Sequence, residues 1–361
     1  MATPWETPDD DDARSASEGP RRSTQRGPSA TVAVRRAGGI GGGGTIGRVS
    51  AITVIVPGHD VQSYAQEALD SLVAQTRTDW TAVLVDDAST DATGELFAAA
   101  AAADPRFRVV RHDTRRGLAA ARNTGLDLVD TPLLGFLDAD DRLRPHALER
   151  LIGALDESGS DFAVGAYVRL RPDGVGGYAA GAVQPWVAAA TTPARTATTL
   201  AEHPGASANI VAWSKVTRTE FWHRAGLRFP DGRLYEDQVV AQQMYARARA
   251  FDVVPDVVVE WRERADGTSI TQGRHALPVL QEYLAAMRGG IDVLEAAGMH
   301  AAVQHRVRLI LAMDVPPLVQ IARTHPDDAY RRALGAFVRD IHALSAPSAP
   351  PPPPVAAALL W

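Results

Sequence analysis

Short apolar runs alternate with helically patterned segments between residues 51 and 155, and this alternation limits the possible folds more than any other feature of the chain. The first run, residues 52–56, is rich in β-branched side chains and ends at Pro57, which is typical of a buried strand. Three similar runs follow, with helical spacing between them: residues 82–85, 107–110 and 133–137. Strands that alternate with helices of about 10 to 15 residues predict an α/β fold with a mostly parallel sheet and helices on both faces.

The N-terminal segment has a different composition. Residues 1–48 mix an acidic run with Ser, Pro, Arg and Gly, and such a segment buries too little apolar surface to offset its ordering entropy, so we expect disorder. Gly39, Gly41 and Gly44 match the pattern GxGxxG, but a strand rather than a helix follows them. We therefore interpret these glycines as part of a linker, because a dinucleotide site requires a helix at that point.

The second half of the chain is less regular. Residues 170–205 are rich in Gly, Ala, Pro and Thr and indicate a long loop region, whereas residues 251–261 have the pattern of another strand. Apolar residues recur at helical spacing from residue 276 to about 344, which predicts a C-terminal helical subdomain. The expected organisation is a disordered segment (1–48), a first domain (49–272, with halves 49–155 and 156–272), the helical subdomain (273–345) and a Pro-rich disordered tail (346–361).

Composition excludes several classes of function. The net charge of −6 argues against a nucleic-acid partner, and the absence of cysteine excludes disulfides, thiolate nucleophiles and cysteine-ligated metals. The sequence has no apolar core of a secretory signal and no run of about 18 apolar residues. We expect a soluble cytoplasmic protein, with peripheral association at the inner face of the membrane left open.

Acidic residues follow the fourth predicted strand, at the position where ligands bind in sheets of this kind. The segment GFLDADD places Asp138, Asp140 and Asp141 together there. Like charges this close repel one another unless a cation joins them, and oxygen ligands suit Mg²⁺ or Mn²⁺. The alternative is a solvated acidic loop that caps the next helix. The preceding strand and a second acidic pair favour the metal site.

Three further motifs carry charged residues that have both a structural and a functional interpretation. Asp86 and Asp87 end the second predicted strand, where a carboxylate can accept hydrogen bonds from a nucleotide or cap a helix. Arg122 can contact the nucleotide or hold the acidic loop, and a surface arginine is the alternative. Glu236 and Asp237 begin a predicted helix, where the macrodipole alone favours acids, and one of them can serve as a general base.

Four segments in order resemble the nucleotide-binding half of glycosyltransferase family 2: ITVIVPGHD, VLVDDASTDAT, RGLAAARNTG and FLDADD. Downstream, YEDQVV is similar to the acidic pair of the family's acceptor half, and WRERADGTSIT to a segment near the donor pyrophosphate. The resemblance covers roughly residues 50–272. It implies a GT-A type, Rossmann-like fold and transfer of a sugar, with inversion, from a nucleotide-sugar donor to a hydroxyl acceptor in cell-surface or extracellular glycan synthesis.

The resemblance also implies roles for matching residues. It places seven residues at the nucleotide: Pro57, His59, Asp60, Asp86, Asp87, Arg122 and Asp138. It makes Asp237 the catalytic base with Glu236 as its support, and Asp138 and Asp140 the ligands of Mn²⁺ or Mg²⁺. It places three residues near the pyrophosphate: Arg262, Arg264 and Ser269.

Two residues depart from the family pattern, because Asp60 and Arg115 stand where asparagine is usual. The first adds a negative charge near the nucleotide and leaves the base preference open. A UDP-sugar is the expected donor, and a glycan or a polyol-type hydroxyl is the expected acceptor.

Two other classes of protein remain as alternatives. A catalytically degenerate relative could act as a binding or assembly subunit, but the intact carboxylates speak against it. A nucleotidyltransferase on a similar sheet would need a Gly-rich, Arg-containing loop after the first strand, and Gly58, His59 and Asp60 do not form one.

Overall fold

One sheet organises the part of the chain that this computed structural model describes, residues 51–267, 273–345 and 351–361. Its ten strands are β1 (Ile52–Gly58), β2 (Trp80–Asp86), β3 (Phe107–Arg111), β4 (Leu133–Phe136), β5 (Arg142–Leu143), β6 (Phe162–Pro172), β7 (Tyr178–Val183), β8 (Arg195–Thr198), β9 (Lys215–Arg218) and β10 (Phe251–Arg262). Eight of them follow the order β3-β2-β1-β4-β9-β6-β10-β5, while β7 pairs with β6 and β8 with β10.

The first half of the sheet is parallel, as the alternating pattern predicts. Strand β1 pairs in parallel with β2 and with β4, and β2 pairs in parallel with β3. Every residue of β1 is buried, because helices cover both faces of a parallel sheet and leave no solvated side. The carboxyl ends of β1, β2 and β4 therefore meet at one edge.

The second half of the sheet contains both parallel and antiparallel strand pairs, so the sheet as a whole is more mixed than the predicted mostly parallel sheet. Strand β9 lies antiparallel between β4 and β6, whereas β6 and β10 are parallel. The predicted loop over residues 170–205 was wrong in part, since it contains β7, β8 and a short helix, Pro185–Thr191. Strand β7 is mostly exposed and built of small residues, so its sequence lacks the apolar alternation that identifies a half-buried strand.

Helices cover the sheet and continue beyond it to the C-terminus. They are α1 (Ala65–Val73), α2 (Thr93–Ala103), α3 (Leu118–Leu126), α4 (Ala147–Ser158), α5 (Pro185–Thr191), α6 (Thr219–Arg224), α7 (Asp237–Arg247), α8 (Leu277–Ala296), α9 (His300–Leu309), α10 (Val315–Thr324), α11 (Asp328–Ala343) and α12 (Pro353–Leu359). A 3₁₀ turn spans Pro204–Ala208 and a π-helical turn spans Ile310–Asp314. No helix in the described residues is long and apolar enough to cross a membrane.

The C-terminal helices pack against the sheet domain rather than standing apart from it. Helix α8 lies on α7 so closely that a Cβ at Gly290 would lie 3.3 Å from Cγ of Gln242. The predicted disordered tail differs from the structure over Pro353–Leu359, which form α12 and bury Val355 and Ala358. Prolines are compatible with the first turn of a helix, and the apolar residues after them supply the buried face. Residues 1–50 and 346–350 lie outside the described residues.

Candidate active site

A cavity of about 870 Å³ lies beyond the carboxyl ends of β1 and β4. Helix α7, the end of β10 and helix α9 form its opposite wall. Most of the predicted site residues line it: Pro57, His59, Asp60, Asp87, Arg122, Asp138, Asp140, Glu236, Asp237 and Arg264. Clefts of this size at the strand ends of α/β sheets are where small molecules bind.

Arg122 joins the two halves of the cavity. It lies on α3 and is 1% exposed, and its Nη2 donates to Oδ1 of Asp138 at 2.6 Å while its Nη1 donates to Oε1 of Glu236. Burial by itself lowers the pKa of Arg122, but the charges of Asp138, Glu236 and Asp237 reverse this and raise the pKa above its usual value. The arginine thus joins the acidic turn after β4 to the start of α7.

The acidic turn after β4 presents two carboxylates to the cavity and buries the third. Asp138 and Asp140 line the cavity, whereas Asp141 is 1% exposed and its Oδ1 accepts the backbone N–H of Arg262 at 2.7 Å. Burial raises the pKa of Asp138, an effect that Arg122 opposes and the nearby Asp140 increases. Oδ2 of Asp140 accepts from Nε of Arg264 at 2.7 Å. The described residues contain no group of three or more acidic or histidine side chains placed to hold a metal by themselves.

The turn after β1 forms the wall expected for the nucleoside. Nδ1 of His59 lies 2.9 Å from the carbonyl oxygen of Asp87, and because a carbonyl only accepts, Nδ1 carries the proton. Asp60 has a left-handed backbone (φ 47°), a conformation that Asn and Asp tolerate better than most residues. Its Oδ1 accepts the backbone N–H of Thr90 at 2.8 Å, which lowers the pKa of Asp60. Aspartate and asparagine both supply this acceptor, so the departure from the family pattern is compatible with the turn.

Asp87 organises the loop that follows β3. Its Oδ1 accepts from His112 at 2.6 Å and from the backbone N–H of Arg116 at 2.8 Å, and its Oδ2 accepts from the N–H of Gly117 at 2.7 Å. Gly117 has a φ of +89°, a backbone conformation that disfavours other residues and that lets the chain turn into α3. The carboxylate therefore shapes the cavity wall through this loop.

The structure does not place Asp86 at the nucleotide, and that prediction is corrected here. Asp86 is 0% exposed and does not line the cavity; its Oδ1 accepts the N–H of Ser89 at 2.9 Å and its Oδ2 lies 3.0 Å from Arg111. Successive strand residues point to opposite faces, so only one member of the Asp86–Asp87 pair can face the cavity.

Glu236 and Asp237 enter the cavity at the start of α7. The preceding Tyr235 has a left-handed backbone (φ 57°), which is strained for an aromatic residue and is typical of functional turns. Burial raises the pKa of Glu236 to about 7, with Arg122 opposing the shift and Asp237 adding to it. Burial also raises the pKa of Asp237 to about 6, with Arg122 opposing and Asp138 adding. Glu236 forms an ion pair with Arg122. Within the described residues, Asp237 forms no ion pair.

The predicted pyrophosphate residues divide into three cases. Arg264 lines the cavity next to Asp140. Arg262 is 1% exposed and does not line it: its Nε donates to the carbonyl oxygen of Asp140 and its Nη2 to Glu67, each at 2.7 Å. The assignment of Arg262 to the pyrophosphate was wrong, because this residue ends β10 and its buried side chain holds the backbone of the acidic turn. Ser269 lies outside the described residues.

The cavity is also lined by residues that sequence reasoning missed. Tyr167, Arg169, Trp213, Arg274 and Arg306 all line it. One signal was available, since Arg306 continues the buried stripe of Ala302 and Val303 on α9, a position where an unpaired charge is costly. The single lysine, Lys215, is also buried, and its Nζ donates to the carbonyl of Val211 at 2.6 Å, holding a cavity-lining loop.

The parallel half-sheet, the acidic turn and the facing carboxylates define a GT-A type domain. Residues 53–208 match the family model described as Glycosyl transferase family 2. Staphylococcus aureus TarS 1-349, solved in complex with UDP-GlcNAc, has a similar fold: the TM-score is 0.66 at 20% identity, over 81% of this chain and 83% of that one.

Curated relatives match about a third of the chain. Glycosyltransferase GlyA of Streptococcus pneumoniae is 39% identical over 116 residues, which are 32% of this chain and 16% of that protein. The succinoglycan biosynthesis protein ExoO of Rhizobium meliloti is 36% identical over 119 residues, 33% of this chain and 34% of that protein. The chain thus spans about a third or less of the length of these two relatives.

Proposed function

We propose that the protein transfers a sugar from a nucleotide-sugar donor to a hydroxyl acceptor, with inversion at the anomeric carbon and with a divalent metal ion. One observation carries the proposal. Arg122 holds Asp138, from the acidic turn, and Glu236, from the start of α7, in a single cavity, although about 100 residues separate them in the chain. A donor-side acidic pair that faces an acceptor-side acid is what a single displacement between two substrates needs, so this arrangement supports the proposal.

The donor nucleoside is assigned to the wall formed by Pro57, His59, Asp60 and the loop that Asp87 fixes. This wall offers backbone groups, an imidazole and carboxylates, which suit hydrogen bonding to a base and a ribose. TarS binds UDP and UDP-GlcNAc in its solved complexes, which makes uridine nucleotides the first donors to test. ExoO is a succinoglycan biosynthesis protein, and this similarity supports a role in glycan synthesis.

The acidic turn fits a Mg²⁺ or Mn²⁺ ion that the substrate itself helps to bind. These ions commonly take one or two carboxylates and complete their shell with substrate phosphates and water, so a pair, Asp138 and Asp140, is sufficient. The raised pKa of Asp138 marks a buried site where negative charge is poorly compensated. When bound, the ion supplies Lewis-acid stabilisation of the diphosphate leaving group. Arg264, 2.7 Å from Asp140, supplies a further positive charge at the same place.

Asp237 is assigned as the base. Its carboxylate accepts the proton of the acceptor hydroxyl while that oxygen forms a bond to the anomeric carbon, and the bond from this carbon to the diphosphate oxygen breaks. A pKa raised to about 6 leaves the group ionised yet basic near neutral pH. Glu236 remains ion-paired to Arg122 and positions the turn.

A thermal-shift panel tests this proposal. The full chain is measured with UDP-, GDP- and dTDP-sugars, each with and without Mn²⁺, and Asp140→Asn serves as the matched control. A ligand that binds only the folded state raises the melting temperature by mass action, so we expect one nucleotide class to do so in a Mn²⁺-dependent way that the variant loses. If no nucleotide sugar shifts the wild-type protein with either metal, the proposed function is wrong.

A further inference from the structure

Three further arginines line the cavity besides Arg115, Arg122 and Arg264. Arg169 comes from β6, Arg274 from the segment before α8, and Arg306 from α9. They reach the cavity from three separate elements, and two of these elements belong to the C-terminal helical region. Such convergence of cations is costly, since like charges repel and each must be removed from water.

Arg306 has the most unusual environment of the three. It is 4% exposed, and within the residues that the structure describes its guanidinium forms no hydrogen bond and no ion pair. Burial lowers the pKa of Arg306, and the charge of Asp314 only partly offsets this effect. Asp314 is itself held by the hydroxyl of Tyr283 at 2.5 Å. A buried guanidinium with five unused donors that lines a cavity is placed to receive an anion.

The other two arginines are anchored on aromatic rings and have donors to spare. The guanidinium of Arg274 lies over the ring of Tyr283 at 4.2 Å, and that of Arg169 lies over the ring of Trp261 at 4.9 Å. The Nε atoms of both arginines are buried without a hydrogen-bond partner. Arg169 also lies at the outer limit of an ion pair, 4.0 Å from Glu263. Arg274 also hydrogen-bonds the side chain of Tyr235. Stacking fixes the planes of both side chains, and their buried Nε–H groups remain for a ligand.

Tyr167 connects this group to the catalytic side. It is buried with its ring edge-to-face on Trp213, and the charges of Arg169, Asp237 and Arg306 all act on its hydroxyl. Arg264 pairs with Asp140 and is assigned to the donor, so we assign the three other arginines to the acceptor side of Asp237.

We propose that Arg169, Arg274 and Arg306 form an acceptor subsite for an anionic group, so that the acceptor is a polyol or glycan unit that carries a phosphate or a carboxylate. The assignment to the acceptor rests on the proposed transfer reaction. Guanidinium groups recognise both anions through paired N–H···O bonds, which is their shared chemistry. The aromatic residues between the subsite and Asp237 suit the apolar face of a sugar ring.

The experiment measures equilibrium binding of inorganic phosphate and of methyl β-glucuronide to the full chain by calorimetry, without metal. We expect at least one of the two anions to bind. The anion that binds shows whether the charged group of the acceptor is a phosphate or a carboxylate. Arg306→Met should weaken it about tenfold to hundredfold, the usual effect of losing charge-assisted hydrogen bonds, and Arg306→Lys should restore part of the affinity. Arg264→Met, which removes the cation beside Asp140 in the same cavity, should leave the affinity for the anion unchanged.

Two further measurements, the melting temperature and the nucleotide affinity of Arg306→Met, separate this inference from the proposed function. Arg306→Met should melt at the same temperature as wild type or higher, because it removes a buried, unpaired cation; a large fall would show a structural role and overturn the subsite. Its affinity for the nucleoside diphosphate, measured with Mn²⁺, should be unchanged. If Arg306→Met loses nucleotide rather than anion, the arginine belongs to the donor site and the subsite is wrong while sugar transfer stands. If neither anion binds the wild-type chain, the subsite is wrong as well.

Discussion

Replacing Arg122 by methionine should destabilise the protein strongly, and by an amount that depends on pH. The variant removes the cation from an ion pair with Glu236, whose side chain is 2% exposed, and from one with Asp138, whose side chain is 19% exposed. Breaking a buried pair by removing one partner costs about 3–5 kcal/mol. We expect about 3 kcal/mol at pH 7, because protonation of Glu236, whose pKa is already about 7, relieves part of the cost.

The pH dependence follows from the sign of the shift. A carboxyl whose pKa is raised in the folded state stabilises that state fully at pH values below its unfolded pKa. This contribution to the unfolding free energy is lost as the pH rises through the pKa of the folded state. Without Arg122 the pKa of Glu236 rises further. The difference in unfolding free energy between wild type and Arg122→Met should therefore be small near pH 5 and grow towards pH 8.

Urea unfolding at several pH values measures this difference. Arg228→Met is the matched control, because its pair with Asp127 is exposed on both sides (55% and 60%) and should contribute about 1 kcal/mol or less. The double variant Arg122→Met with Glu236→Leu should recover much of the lost stability, since it replaces the whole pair by apolar groups. Two results would contradict the buried ion pairs of Arg122. The first is that Arg122→Met lowers the unfolding free energy no more than Arg228→Met does, and the second is that it lowers it equally at pH 5 and pH 8.

Three other variants have distinct expected effects. Asp140→Asn should keep its melting temperature and lose Mn²⁺-dependent turnover, because an amide retains the shape but not the charge; most of the activity surviving at low Mn²⁺ would exclude this residue as a ligand. Asp237→Asn should reduce turnover by roughly two to four orders of magnitude with donor affinity nearly unchanged, more than Glu236→Gln does. In wild type kcat should fall below about pH 6, where Asp237 protonates, and a flat profile from pH 5 to 8 would contradict the base. Val355→Asp should lower the unfolding free energy by more than about 2 kcal/mol, since it buries a charge under α12, and an unchanged urea midpoint would mean that this helix does not dock.

Much of the cavity wall that we assign to the nucleotide was predictable, because parallel strands place their carboxyl ends at one edge. The turn at Pro57, the loop at Asp87 and the acidic turn at Asp138 follow β1, β2 and β4, and all line the cavity. What the sequence could not decide was which face of the sheet a side chain takes at the very end of a strand. Asp86 and Arg262 were assigned to the wrong side for that reason.

The part of the cavity that we assign to the acceptor was harder to predict from sequence, because tertiary packing builds it. Arg306 approaches the cavity only because α8 packs on α7 and carries α9 with it, and no local pattern encodes that approach. Helix α12 was not predicted, because the prolines before it and in its first turn indicated a disordered tail. The apolar residues after these prolines form the helix. The mixed half of the sheet depends on β9 entering between β4 and β6, a pairing between segments far apart in the chain.

Release of nucleoside diphosphate from a nucleotide sugar tests the central claim most directly. The purified full chain is incubated with the donor selected by thermal shift, with Mn²⁺ or with EDTA, beside Asp140→Asn and Asp237→Asn. The account predicts Mn²⁺-dependent release by wild type, loss of release with EDTA and in Asp140→Asn, and retained donor binding without turnover in Asp237→Asn. Release that persists in EDTA, or equal release by all three proteins, would contradict it.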